Sequence, residues 1–182
     1  MCFTRILRRV ASRRFAEDLE DVFPHVPFPS QLTVFRNAVH LGREIRALET
    51  FSREPGEAYR QPNFVRIATQ PRGMVAPAHY ADGEIILCND GTGRIVGVPQ
   101  PVWEFSVSGY RLVPRWLEAR VGLPADLALV RELRDICGRI AELIDLFARA
   151  DNVLEATLHE TLTREALGFG AEEQDENDGR DE

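Results

Sequence analysis

The sequence predicts an α+β fold: a small, mostly antiparallel sheet flanked by N-terminal helices and a C-terminal helical pair. Three observations carry this reading. Apolar residues recur at helical spacing over 30–51 and again beyond 127. Between those stretches lie short β-rich runs punctuated by Gly, Pro, Asn and Asp. The whole chain, 182 residues and 44% hydrophobic, has the size and apolar content of one domain with a core of its own.

The elements follow in order. Residues 1–14, rich in arginine, read as a basic leader, and "RRFAEDLEDVF" (13–23) as a short helix. "PHVPFP" stops it, because each proline removes a donor and fixes φ. Ser30 is the expected N-cap of the next helix, whose Leu32, Phe35, Val39, Ile45 and Leu48 share one face. A loop over 50–62 leads to three short strands, "NFVRIAT" (63–69), "GEIILCN" (83–89) and "RIVGV" (94–98). "NDGTG" (89–93) joins the last two as a tight antiparallel hairpin.

"VWEFSVS" (102–108) alternates, which predicts a half-buried strand with Trp103, Phe105 and Val107 on one face. Gly109 supplies the positive φ for a turn from strand to helix, and "LVPRWLEAR" is a short helix with Trp116 anchoring it to the sheet. Pro124 falls near the first turn of a longer helix carrying Leu127, Val130, Leu133, Ile136, Ile140, Leu143 and Phe147. Asp151 or Asn152 is placed to cap a final helix with Leu154, Leu158 and Leu162; a single unbroken helix is the alternative. The domain therefore spans 15–168, and 169–182 is an acidic tail too polar and charged to fold.

Charge is distributed unevenly. The net charge is −7, but residues 171–182 hold seven of the 29 acids and one of the 22 bases, so the body is almost neutral. All 22 basic residues are arginine, whose planar fork favours bidentate and stacked contacts; a GC-rich coding bias is the plainer account of that usage. No run of about 18 apolar residues occurs, which argues against a membrane-spanning helix, and the apolar run at the start is too short for a signal peptide. Cys2, Cys88 and Cys137 are far apart and odd in number, fitting a reducing cytoplasm better than a disulfide framework.

Catalytic signatures are scarce. The sequence has no glycine-rich phosphate loop, no H-E-x-x-H and no nucleophile elbow. His25, His40, His79 and His159 lie in four separate segments without ligand spacing, so neither a metal nor a cofactor is expected. The chemistry-bearing candidates are arginines: Arg111, Arg115 and Arg120 in the segment after Gly109, with Arg66 and Arg94 on the strands. Their guanidinium groups suit phosphates and base edges, although solubility, or pairing with Glu118 and Asp126, is the plainer account of Arg111, Arg115 and Arg120.

"VPQPVWEFSVSGYRLVPRWLEAR" (98–120) resembles a block near the C-terminus of type ISP restriction-modification enzymes and related adenine-specific DNA methyltransferases, with Trp103, Gly109, Tyr110, Trp116, Leu117 and Arg120 at matching places. Upstream, Pro27, Phe28, Phe35, Leu41, Gly42 and Leu48 match as well, whereas Glu49 stands where the family usually has histidine. The resemblance covers about residues 15–166. It implies the C-terminal specificity domain, a non-catalytic module that helps recognise target DNA. It also implies double-stranded DNA and a methyltransferase or restriction subunit as partners. The family's ATPase, nuclease, S-adenosylmethionine-binding and N-P-P-[YF] motifs do not occur in this sequence, nor does the "yRPFd"-like stretch of the earlier part of that domain. The resemblance thus implies about half of a specificity domain: a split subunit, a repurposed module or a gene remnant.

Overall fold

The computed structural model describes residues 26–168; the basic leader, the helix expected over 13–23, His25 and the tail beyond 168 lie outside the described residues. The architecture is α+β, organised on one long helix. Helix α1 (Leu32–Glu49) is followed by a single turn, α2 (Glu57–Arg60). Strands β1 (Arg66–Ile67), β2 (His79–Ala81), β3 (Glu84–Ile86) and β4 (Arg94–Val96) form an antiparallel sheet in the order β1-β4-β3-β2. Then come α3 (Gln100–Glu104), the hairpin β5 (Ser106–Val107) with β6 (Tyr110–Arg111), α4 (Leu112–Glu118) and α5 (Leu127–His159).

The 33 residues of α5 make a rod about 50 Å long at 1.5 Å per residue. Its two halves serve two cores. Val130, Leu133, Cys137 and Ile140 pack with the inner sheet residues Ile85 and Ile95 and with Val102, Val113 and Leu117. Leu143, Leu146, Ala150 and Leu154 pack against Leu41, Ile45 and Leu48 of α1. Helices α1 and α5 run antiparallel because both ends are tied. Ser30 N–H donates to the Glu160 carbonyl at 3.0 Å and Leu162 N–H to that of Phe28 at 2.8 Å. At the other end Arg139, only 5% exposed, donates to the carbonyl of Arg53 at 2.7 Å and to Asp135 at 2.6 Å.

Several expectations are corrected. Residues 102–108 are not one alternating strand. Pro99 and Pro101 start a helical turn, where a missing N–H costs nothing, and the adjacent Val102 and Trp103 are both buried, which alternation forbids. Only Ser106–Val107 is extended. The expected C-terminal pair is the unbroken α5: Asp151 and Asn152 lie inside it, since Ala150 and Leu154 continue the buried stripe. Ser30 does not cap α1. The N-cap is Gln31, without a side-chain cap, and Ser30 lies one residue before it with its N–H on the Glu160 carbonyl.

Pro124 precedes α5 rather than entering it, forming a bridge with Met74; Asp126 caps the helix by accepting from Leu129 N–H at 2.8 Å. Along α1 and α5 the predicted face is partly rotated. Leu32 and Leu127 are exposed, and Ala38, Leu41 and Cys137 take buried places.

The hairpin at 89–93 forms as expected, closed by Asp90, which accepts from both the N–H and the hydroxyl of Thr92 at 2.9 and 2.7 Å. Strand β2 is an addition to the sequence reading. Asp82 and Gly83 both have positive φ and join it to β3, and this Asp-Gly pair was the signal for it.

Candidate nucleic-acid interface

The block 98–120 folds as helix, hairpin and helix rather than strand and helix. Trp103, on α3, stacks on Tyr80 of β2 with ring centroids 4.8 Å apart and planes 9° from parallel, so its role is to seat α3 on the sheet. Tyr80 is held in turn by donating its hydroxyl to the Val98 carbonyl at 3.0 Å. In the β5–β6 turn Ser108 and Gly109 have φ of 51° and 82°, the left-handed pair that a two-residue hairpin demands. Gly109 therefore turns strand into strand, and the helix begins three residues later. This tight turn presents Tyr110, 65% exposed, and beside it the exposed Arg111. The sequence reading gave Tyr110 a structural place only.

Helix α4 is anchored by Val113 and Leu117, both fully buried. Trp116 is half-buried against the same core, and its outer face is covered by Arg120, whose guanidinium carbon lies 3.7 Å from the ring centroid. Arg120 also donates to the Trp116 carbonyl at 3.1 Å and to Glu132 of α5 at 3.3 Å, so it uses neither Glu118 nor Asp126, the acids the sequence offered to this group of arginines. Arg115 pairs with Glu118 at 2.9 Å across an exposed helix face, an arrangement that contributes little and exchanges easily.

Arg66 and Arg94 occupy the outer face of the four-stranded sheet. The register sets Arg66 and Glu84 opposite Val96 from either side, with Arg94 two residues from Val96; Ile85 and Ile95 fill the inner face. Arg94 forms a forked pair with Glu84, with one bond, Nη2 to Oε2, at 2.7 Å. That contact holds the Glu84 carboxyl below the usual carboxylate range and raises the Arg94 guanidinium above its own. Arg66 and Arg111 are exposed and make no ion pair among the described residues. The five arginines thus form two groups, one on the sheet and one on the hairpin–helix unit. Arg94 is the most firmly engaged, and Arg66 and Arg111 are the most available.

The sequence reading missed Arg60, Arg131 and Arg134. These line one cleft between α2 and α5, together with Tyr59, Gln61 and Phe64. No local motif joins residue 60 to residue 131, so only the tertiary structure reveals the group. Among the described residues no cluster of three or more His, Cys, Asp or Glu could hold a metal, and no helix is long and apolar enough to cross a membrane.

Residues 12–145 match the Type ISP C-terminal specificity domain, which is most of the chain. The chain belongs to that family. No curated protein matches it. Among solved structures, a nuclease-deletion mutant of the Type ISP restriction-modification enzyme LlaGI, in complex with a DNA substrate mimic, is similar with a TM-score of 0.48 and 15% identity. The match covers 89% of this chain and 14% of that one, so this specificity domain spans a small part of the length of that enzyme.

Proposed function

We propose that this specificity domain is a non-catalytic DNA target-recognition module, serving a methyltransferase or restriction activity carried elsewhere, in the cytoplasm. The observation that carries the reading is the tip of the β5–β6 hairpin. Within the block 98–120 that resembles the family it presents an exposed aromatic ring, Tyr110, beside a guanidinium, Arg111, that makes no ion pair among the described residues. Arginine supplies bidentate contact to guanine edges or phosphates, and tyrosine a stacking face or hydroxyl donor. Arg115 and Arg66 add charge, Arg115 by releasing an exposed pair. Arg120 and Arg94 are spent on Trp116, Glu132 and Glu84, so they shape the surface more than they contact a duplex.

The test is a fluorescence-anisotropy titration of a duplex at several salt concentrations. Arg111→Ala should weaken binding and lower the salt slope by about one, the contribution of one neutralised phosphate. Arg94→Ala should leave the slope unchanged. If the wild-type chain does not bind a duplex even at low salt, the reading is wrong.

One observation favours a second reading, docking on a protein partner without DNA contact. Residues 73–75 lie beside 121–125 through Val75 N–H to the Leu123 carbonyl at 2.8 Å and Gly122 N–H to the Val75 carbonyl at 2.9 Å. Met74, Val121 and Leu123 stand exposed on these segments, with Leu127 just beyond them on α5. Sedimentation of the wild type against a Met74→Ser, Leu123→Ser variant distinguishes the two readings. Loss of a complex or of self-association without loss of DNA binding assigns this surface to protein contact.

A further inference from the structure

We propose that the cleft between α2 and the first half of α5 is a phosphate-binding site, distinct from the hairpin surface. Its volume is about 190 Å³, room for a phosphate group and part of what it is attached to. Arg131 and Arg134 are three apart on α5 and so share a face, and Arg60 ends α2 on the other side. The side chains of the three make no ion pair or hydrogen bond among the described residues, although Arg134 is half-buried.

The cleft has one acid, Asp135, and it is already engaged: Arg139 donates to it at 2.6 Å. Three arginines thus line a cleft whose one carboxylate is shared with Arg139. Such an arrangement is self-repelling when empty and is relieved by an oxyanion, which arginine forks bind bidentately. Gln61 adds an amide donor, and Tyr59 with Phe64, edge to face at 6.0 Å and 85°, gives the cleft an apolar wall.

The cleft is also held open before any ligand arrives. Helix α2 is pinned to α5 by the Tyr59 hydroxyl on Asp145 and by Gly56 N–H donating to Glu142 at 2.7 Å. Arg53 bonds the same Glu142 at 2.7 Å, which locks the approach to α2. Arg60 is therefore placed by contacts that do not engage its own guanidinium, and binding needs little reorganisation.

The phosphate could belong to a nucleic-acid backbone or to a small molecule, and the experiment separates these sources. Thermal unfolding is followed in inorganic phosphate and in chloride of equal ionic strength, for the full chain, for R131Q/R134Q and for R111Q. The expected result is a saturable phosphate-dependent rise in Tm. It should be retained by R111Q and lost entirely in R131Q/R134Q. In parallel, duplex affinity is measured for the same proteins. A backbone phosphate in the cleft predicts at least a tenfold loss of duplex affinity in R131Q/R134Q, whereas a small-molecule phosphate predicts the Tm response with duplex affinity unchanged.

If phosphate shifts no Tm and R131Q/R134Q binds duplex like the wild type, the proposal is overturned. If the double variant does not fold, R60Q, which lies outside the long helix, carries the same two tests. The site does not depend on recognition by the hairpin: failure of the hairpin reading appears as an unchanged duplex affinity in R111Q, and failure of the cleft as R131Q/R134Q matching the wild type in both phosphate response and duplex affinity.

Discussion

Gly138→Ala sets two calculable effects against each other. Gly138 lies in the middle of α5, where alanine should be favoured by about 1 kcal/mol on helix propensity alone. A Cβ built there, however, would lie 2.8 Å from the backbone carbonyl oxygen of Tyr59 and 3.7 Å from Pro55 Cγ. Relief requires α2 to retreat by roughly half an ångström, and its anchors on Asp145 and Glu142 oppose that movement. Overpacking of this kind costs about 1–3 kcal/mol, and a backbone obstacle places the cost in the upper part of that range. The net expectation is a loss of about 1–2 kcal/mol, or a Tm lower by about 2–4 °C per kcal/mol for a chain of this size. Urea denaturation followed by far-UV circular dichroism reads it. A variant more stable than wild type by the propensity gain would refute the reasoning, because it would mean that α2 is free to move away from α5.

Three further outcomes are expected. Arg139→Met should cost about 2–3 kcal/mol by urea unfolding. It removes a buried charge that holds the Arg53 carbonyl and Asp135, but Asp135 and Glu54 keep access to water, so the loss stays below that of a fully buried pair; a loss under about 0.5 kcal/mol would contradict this role. The hydrogen bond to Asp145, burial and the neighbouring carboxylates push Tyr59 up to about 12, above its unfolded value near 10. Its contribution is present below pH about 10 and lost as pH rises toward about 12, so Tyr59→Phe should flatten the alkaline fall in urea midpoint; equal slopes for both proteins would contradict it. Removing residues 171–182 takes away seven acids and one base, bringing the net charge from −7 to −1. Duplex affinity at low salt should rise, and an unchanged mobility-shift midpoint would show that the tail does not compete for the arginines.

The parts of the fold that were legible in the sequence are those set by neighbours in the chain. The 3.6-residue periodicity of α1 and α5 and the 89–93 turn appear as expected elements because helix faces and turn chemistry are local, whereas Gly109 makes a hairpin turn where a strand-to-helix turn was expected. The error at 102–108 is also local in origin: these seven residues alternate by chance, while Pro99 and Pro101 just before them signal a helical start. Asp82-Gly83 was an equally readable sign of β2.

By itself the sequence determined the α+β class, the arginine-only basic content, the acidic 171–182 segment and the family-specific block around Trp103 and Gly109. The tertiary structure alone decided which arginines are available. It turned Arg94 onto Glu84 and laid Arg120 over Trp116. It left Arg111 exposed beside Tyr110 and brought Arg60 to Arg131 and Arg134 across some seventy residues of chain. The physical reason is reach: a helix or turn forms from interactions within about five residues, whereas the state of a guanidinium depends on whichever carboxylate, ring or carbonyl the packed core brings beside it.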